Sequence, residues 1–175
     1  MSSLTDILAA PGAWTLDAER SSFTFKNKGM WGLASVKGRF TEFGGEGSVD
    51  TDGTVSGRVD VKAESVSTGI KQRDKHLRSA DFFDAENFPD IAVTVNGAEL
   101  AEQDEVAVRA EMSIRGNTVA LPIRVKAELL DDGAVRLTTT TSVERNQLGV
   151  SGNLAGSIGK TTTLSADAVF RRAGG

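Results

Sequence analysis

The chain of 175 residues contains no cysteine and no tyrosine, one histidine and three prolines. Without cysteine there is no disulfide framework, no thiolate nucleophile and no Cys-ligated zinc or iron–sulfur site. A single histidine excludes a multi-His metal site within one chain. Aromatic residues make up 6%, few for a module that stacks on bases, and a formal charge of -4 argues against binding a phosphate backbone. No run approaches the roughly 18 apolar residues of a membrane helix. The first twelve residues lack a basic region and a long apolar stretch, so they read as a tail or short helix at 1–12, and the cytoplasm is the expected location. No cofactor is expected. Carboxylate, Ser/Lys or substrate-assisted chemistry is what remains, or no chemistry.

What is present is alternation. Val55, Gly57, Val59, Val61 and Ala63 interleave with polar residues, as do Val106 to Ile114, Val119 to Leu129, Val135 to Val143 and Thr162 to Phe170. Phe23 and Phe25, and Val36, Gly38 and Phe40, mark earlier strands. Period two gives each strand one apolar and one wet face. Asp52-Gly53, Gly116-Asn117 and Asp132-Gly133 punctuate the runs like hairpin turns. The sequence therefore predicts an all-β fold: an extended antiparallel up-and-down barrel of about eight strands over residues 13–172. Gly44-Gly45-Glu46-Gly47 reads as a bulge or turn, because no helix follows it to make a phosphate loop. An outer-membrane barrel shares the alternation, but it requires an export signal and aromatic girdles that this sequence does not show.

With the apolar face inward, Ala110, Ala127, Thr139, Thr141, Ala166 and Ala168 favour a narrow apolar tunnel. The alternative is a barrel packed shut by Phe23, Phe25, Phe40 and Phe43. One segment breaks the period: residues 71–84, KQRDKHLRSADFFD, read as a short helical insertion. Four cations crowd Lys71 to Arg78 in an otherwise acidic chain. Arg73 and His76 could hold a phosphate or polar headgroup at the barrel mouth. In the structural alternative Asp74 pairs with Arg78 at i,i+4, His76 caps, and Leu77, Phe82 and Phe83 seal the barrel end.

Several passages carry a resemblance. They are Trp14-Thr15-Leu16-Asp17, Val36-Lys37-Gly38-Arg39-Phe40, Ser67-Thr68-Gly69, the run Arg73 to Asp84, Phe88-Pro89 and Met112 to Thr118. On these the chain resembles the YceI-like family of lipocalin-like, polyisoprenoid-binding proteins. The resemblance implies a barrel that carries or stores a long isoprenoid lipid, a polyprenyl phosphate or isoprenoid quinone, without catalysis. The implied lumen wall is Phe23, Phe25, Phe40, Val59, Val61, Phe82, Phe83, Ile91, Val93, Val108 and Met112. Where similar proteins carry histidines around the first phenylalanine strand, this chain has Arg20 and Asn27-Lys28. Arg20 and Lys28 therefore join Arg73 and His76 as expected headgroup contacts. The expected partner is the lipid, with no nucleic acid and no stable membrane insertion. The competing readings are a packed, homodimeric interaction or stress-response module, and a lipid-modifying enzyme using His76 as acid or base.

Overall fold

The computed structural model describes residues 6–7, 10–29, 35–80, 82–101, 105–144, 147 and 158–173. The described elements are strands, two short 3-10 turns and one α-helix, besides a helical pair at residues 6–7. In chain order the strands are β1 (Gly12–Leu16), β2 (Ser22–Gly29), β3 (Ser35–Phe40), β4 (Phe43–Val49), β5 (Val55–Lys62) and β6 (Val66–Ser67). The helix α1 (Lys71–Arg78) follows. Then come β7 (Asp90–Leu100), β8 (Glu105–Ile114), β9 (Asn117–Leu129), β10 (Val135–Glu144) and β11 (Ile158–Arg172).

The sheet closes. Its order is β1-β4-β5-β7-β8-β9-β10-β11, and β11 returns to β1 through Trp14↔Arg172 and Leu16↔Phe170. All pairings are antiparallel, so this ring is the eight-stranded barrel that the alternation predicted. The remaining β2, β3 and β6 extend from β11 in register with the ring: Phe23↔Phe40 joins β2 to β3, and Phe40↔Val66 joins β3 to β6. They are continuations of β1, β4 and β5 across one transverse break. The break falls at Asp17–Ser21, Thr41–Glu42 and Ala63–Ser65 on the three successive strands. It is knitted together by Thr41 N–H donating to Ser65 O at 3.2 Å and Lys62 N–H donating to Glu42 O at 2.9 Å.

Local chemistry explains the turns. At Asp52-Gly53 and Asp132-Gly133 the aspartate carboxylate accepts the N–H two residues on, from Thr54 at 2.9 Å and Ala134 at 3.1 Å. The glycine then takes φ of +86° or +87°, which side chains disfavour. The third hairpin turns one residue earlier than the sequence suggests, on Arg115-Gly116, with both φ positive as a two-residue primed turn requires. Arg115 is held there because its guanidinium donates to Phe82 O at 2.9 Å.

A second difference concerns residues 44–47. They lie inside β4, paired from Phe43↔Val61 to Val49↔Val55, and not in a turn. A Cβ on Gly45 would stand 2.8 Å from Arg58 O, so the glycine permits close approach of β4 to β5.

Candidate functional site

Alternation on ten-residue and longer strands turns one apolar row per strand into the barrel. The result is a continuous cavity of about 390 Å³, within the range of ligand sites, whose surface is almost wholly carbon. It runs from Val49, Val106 and Val135 at the hairpin-turn end to Leu77, Phe82 and Ile114 at the α1 end. Every apolar residue expected on the wall lines it: Phe23, Phe25, Phe40, Val59, Val61, Phe82, Phe83, Ile91, Val93, Val108 and Met112. Of the small inward residues, Ala127, Thr139, Thr141, Ala166 and Ala168 also face it, whereas Ala110 is packed into the core behind.

The phenylalanines narrow the lumen without filling it. Phe25 meets Phe40 at 5.6 Å and Phe83 at 6.2 Å between ring centroids, and Phe23 meets Phe43 edge-on at 4.8 Å. Phe25 lies across the backbone of Gly38, where a Cβ would fall 2.3 Å from its ring tip. Two buried polar side chains also line the cavity, at the α1 end. Thr162 donates its hydroxyl to Asn27 Oδ1 at 3.1 Å. Toward the other end Trp14 lines the wall beneath the Arg172 guanidinium, 4.7 Å from its ring centroid, with its indole N–H buried and unpartnered.

The insertion has a different internal logic from that expected. Asp74 does not pair with Arg78. Its carboxylate accepts from Thr68 N at 2.8 Å and Thr68 Oγ1 at 2.5 Å, and the Arg78 guanidinium donates to Glu64 O at 3.4 Å. Arg73 is drawn into the same knot, donating from Nε to Thr68 Oγ1 at 2.9 Å and from Nη2 to Thr68 O at 3.0 Å. The passages Ser67-Thr68-Gly69 and Arg73-Asp74 are thus one tertiary contact that seats α1. His76 closes the helix through its carbonyl, which accepts from Ser79 N and Ser79 Oγ. The turn after Ser79 then throws Phe82 and Phe83 into the lumen, and the His76 ring stands edge-on to Phe82 at 5.1 Å, behind the wall.

The four expected headgroup residues do not converge. Arg73 and His76 are together on α1, but neither lines the cavity. Arg20 donates to Asp17 at 2.8 Å and to Asp132 at 2.9 Å. Asp132 sits in the β9–β10 turn, at the far end of the thirteen-residue β9 from the Arg115 turn that contacts the α1 segment. The Arg20 hydrogen bond holds Asp17 below the ordinary carboxylate range, and the Ala134 N–H followed by Arg20 does the same for Asp132. The backbone of Lys28 in β2 pairs with Ser35 in β3, but its side chain lies outside the described residues. Sequence reasoning passed over Asn27, Thr162 and Trp14 as lining groups, although the first two fall on the apolar face of their alternating runs.

A closed antiparallel barrel with one short helix and an apolar axial cavity defines the lipocalin-like class. A model of the YceI-like domain matches residues 14–170, and the chain belongs to that family. A UPF0312 protein of Shewanella baltica is 29% identical over 134 residues, covering 74% of this chain and 69% of the relative. Among solved structures, BcnA of Burkholderia cenocepacia superposes with a TM-score of 0.79 at 16% identity, over 88% of this chain and 98% of the other. A polyisoprenoid binding domain from Saccharophagus degradans, described as implicated in plant cell wall breakdown, gives 0.77 at 18% identity, over 91% and 98%. At those identities the superpositions establish the fold.

Proposed function

We propose that this protein binds and carries or stores a long isoprenoid lipid in its lumen, without chemically altering it. The observation that carries the reading is the apolar axial cavity of about 390 Å³. Burial of hydrocarbon is favourable by about 0.8 kcal/mol for each methylene-sized group, so a chain threaded along the barrel needs no charged contact to bind tightly. The polyisoprenoid-binding neighbour in Saccharophagus degradans supports an isoprenoid over a straight chain. The polar end, a phosphate or a quinone ring, lies at the α1 end, where Asn27 and Thr162 face the lumen and His76 stands behind Phe82. Arg20 is left out of the site, because two carboxylates already hold it near the opposite end.

The void counts against a barrel packed shut as an interaction module. The absence of His76 from the cavity lining counts against an enzyme that uses it on a bound lipid. Native mass spectrometry of protein purified from its host tests the reading, with a co-purifying isoprenoid as the expected result. Ala127→Phe with Ala168→Phe fills the lumen on both sides of Leu137, and should abolish that mass while the barrel stays folded. A ligand-free wild-type spectrum, or a filled variant that still carries the lipid, would overturn it.

A further inference from the structure

The charge of this acidic chain is segregated. The contiguous group β2, β3, β6 and α1 contains eight of the 20 lysines and arginines but one of the 24 acidic residues. Its formal balance is +7, which leaves -11 for the rest of the chain. The outer row of β2 and β3 presents Lys26, Lys37 and Arg39, all exposed. Beyond β6, on which α1 packs, Lys71, Lys75 and Arg78 recur at i, i+4 and i+7 and form an exposed stripe on one flank of the helix. Glu42 and Glu64 border the face.

Most cations elsewhere on the barrel are paired, Arg115, Arg171 and Arg172 being the described exceptions. Arg20, Arg58, Lys62, Arg109, Arg124 and Arg136 each pair with a carboxylate. Among the described residues Lys26, Lys37, Arg39, Lys71 and Lys75 form no ion pair. Lys26 and Lys37 stand directly opposite each other across the β2–β3 ladder, an arrangement that destabilises a sheet unless something external neutralises it. One apolar side chain joins the face: Ile70, immediately before Lys71, is 52% exposed, the most of any large hydrophobic described.

We infer that this face docks the protein on an anionic lipid bilayer. Unpaired cations around an exposed isoleucine match such a surface, where the cations meet headgroups and the isoleucine enters the interface. A nucleic acid would use the cations and leave Ile70 in water. The choice of a bilayer also rests on the lumen's proposed lipid cargo, since an apolar cargo must be taken from or returned to a membrane. The inner side of the same β2–β3 wall is lined by Phe23, Phe25 and Phe40, so docking brings lumen and bilayer to two sides of one sheet.

The test is flotation of the full chain, stripped of bound lipid, with vesicles of phosphatidylcholine alone or mixed with phosphatidylglycerol. Binding is expected to the mixed vesicles only. It should be lost as ionic strength rises from about 0.01 to about 0.15 M, which shortens the screening length from about 30 to about 8 Å. Each cation neutralised should weaken binding about fivefold, so Lys37→Gln with Lys75→Gln costs about 25-fold. Ile70→Ser should weaken vesicle binding as well, and Arg171→Gln, on an exposed residue outside the face, should not. Equal binding to neutral vesicles, vesicle binding that survives Lys37→Gln with Lys75→Gln, or equally tight binding to a short RNA duplex would each overturn the proposal. Because the protein is stripped of lipid, failure here leaves the lumen reading intact, and an empty native mass spectrum leaves vesicle binding intact.

Discussion

Gly38→Ala offers a direct measure of how tightly the aromatic end of the lumen is set. The new methyl would sit 2.3 Å from Phe25 Cζ and 2.5 Å from Cε1, against the roughly 3.5–4.0 Å at which carbons pack. The ring must therefore move by more than an ångström at its tip. Phe25 is 7% exposed and braced by Phe40 and Phe83, so the open direction is into the cavity. Overpacking of this kind costs about 1–3 kcal/mol. For a chain of this length that corresponds to a fall of about 2–12 °C in melting temperature. Binding of an environment-sensitive apolar dye should weaken together with stability, because the displaced ring occupies lumen. Phe25→Leu on the Gly38→Ala background removes the obstructed ring tip. The double variant should then be more stable than the sum of the two single effects by at least about 1 kcal/mol. The assay is urea unfolding followed by circular dichroism for the four species. An unchanged midpoint for Gly38→Ala, or strictly additive effects in the cycle, would refute the close-packing argument.

Two further outcomes follow from the contacts described. Asp74→Ala removes the buried carboxylate that accepts from the half-buried Thr68 N–H and hydroxyl and should cost about 1–3 kcal/mol; amide hydrogen exchange should quicken across residues 68–78 and leave β8 and β9 protected, whereas uniform loss of protection would show that the knot supports more than α1. Arg20 lowers the carboxyl of Asp17 below its unfolded value and, after the larger effect of the Ala134 N–H, adds to the lowering of Asp132, so its stabilisation is present above about pH 4 and is lost as pH falls through the folded values. The difference in unfolding midpoint between wild type and Arg20→Gln should thus be small but measurable at neutral pH and vanish in acid; a difference that persists below both folded values would exclude the ion pairs as its cause.

The barrel is readable in the sequence wherever inward residues are both apolar and large. Val106 to Ile114 and Val119 to Leu129 announce β8 and β9, and most of their inward residues line the cavity. β4 escapes because its inward positions include Gly45 and Gly47, which carry no hydropathy, so an alternating strand looks like a loop. The number of strands is ambiguous for a related reason: the transverse break cuts three strands into six pieces, several too short to show a period. The wall residues need only local alternation, whereas the polar contacts need the fold. Asp74 looks like a partner for Arg78 one turn away, yet it binds Thr68, which a glycine at φ +86° folds back beside it. Arg20 looks like a headgroup ligand by its position along the chain, yet its second carboxylate is 112 residues downstream.

The long β11 has a consequence for how the molecule is made. Its fifteen residues pair with β10 on one side and with both β1 and β2 on the other, spanning the break that interrupts its neighbours. Because β11 follows every other barrel strand in the chain, no ring can form during synthesis until residue 172 is available. Until then β10 on one side and β1 and β2 on the other are unpaired edges, and the apolar face is accessible to any hydrocarbon nearby. The docking of one strand therefore both completes the fold and encloses whatever already lies on that face, so an apolar molecule can be wrapped into the lumen as well as threaded into it.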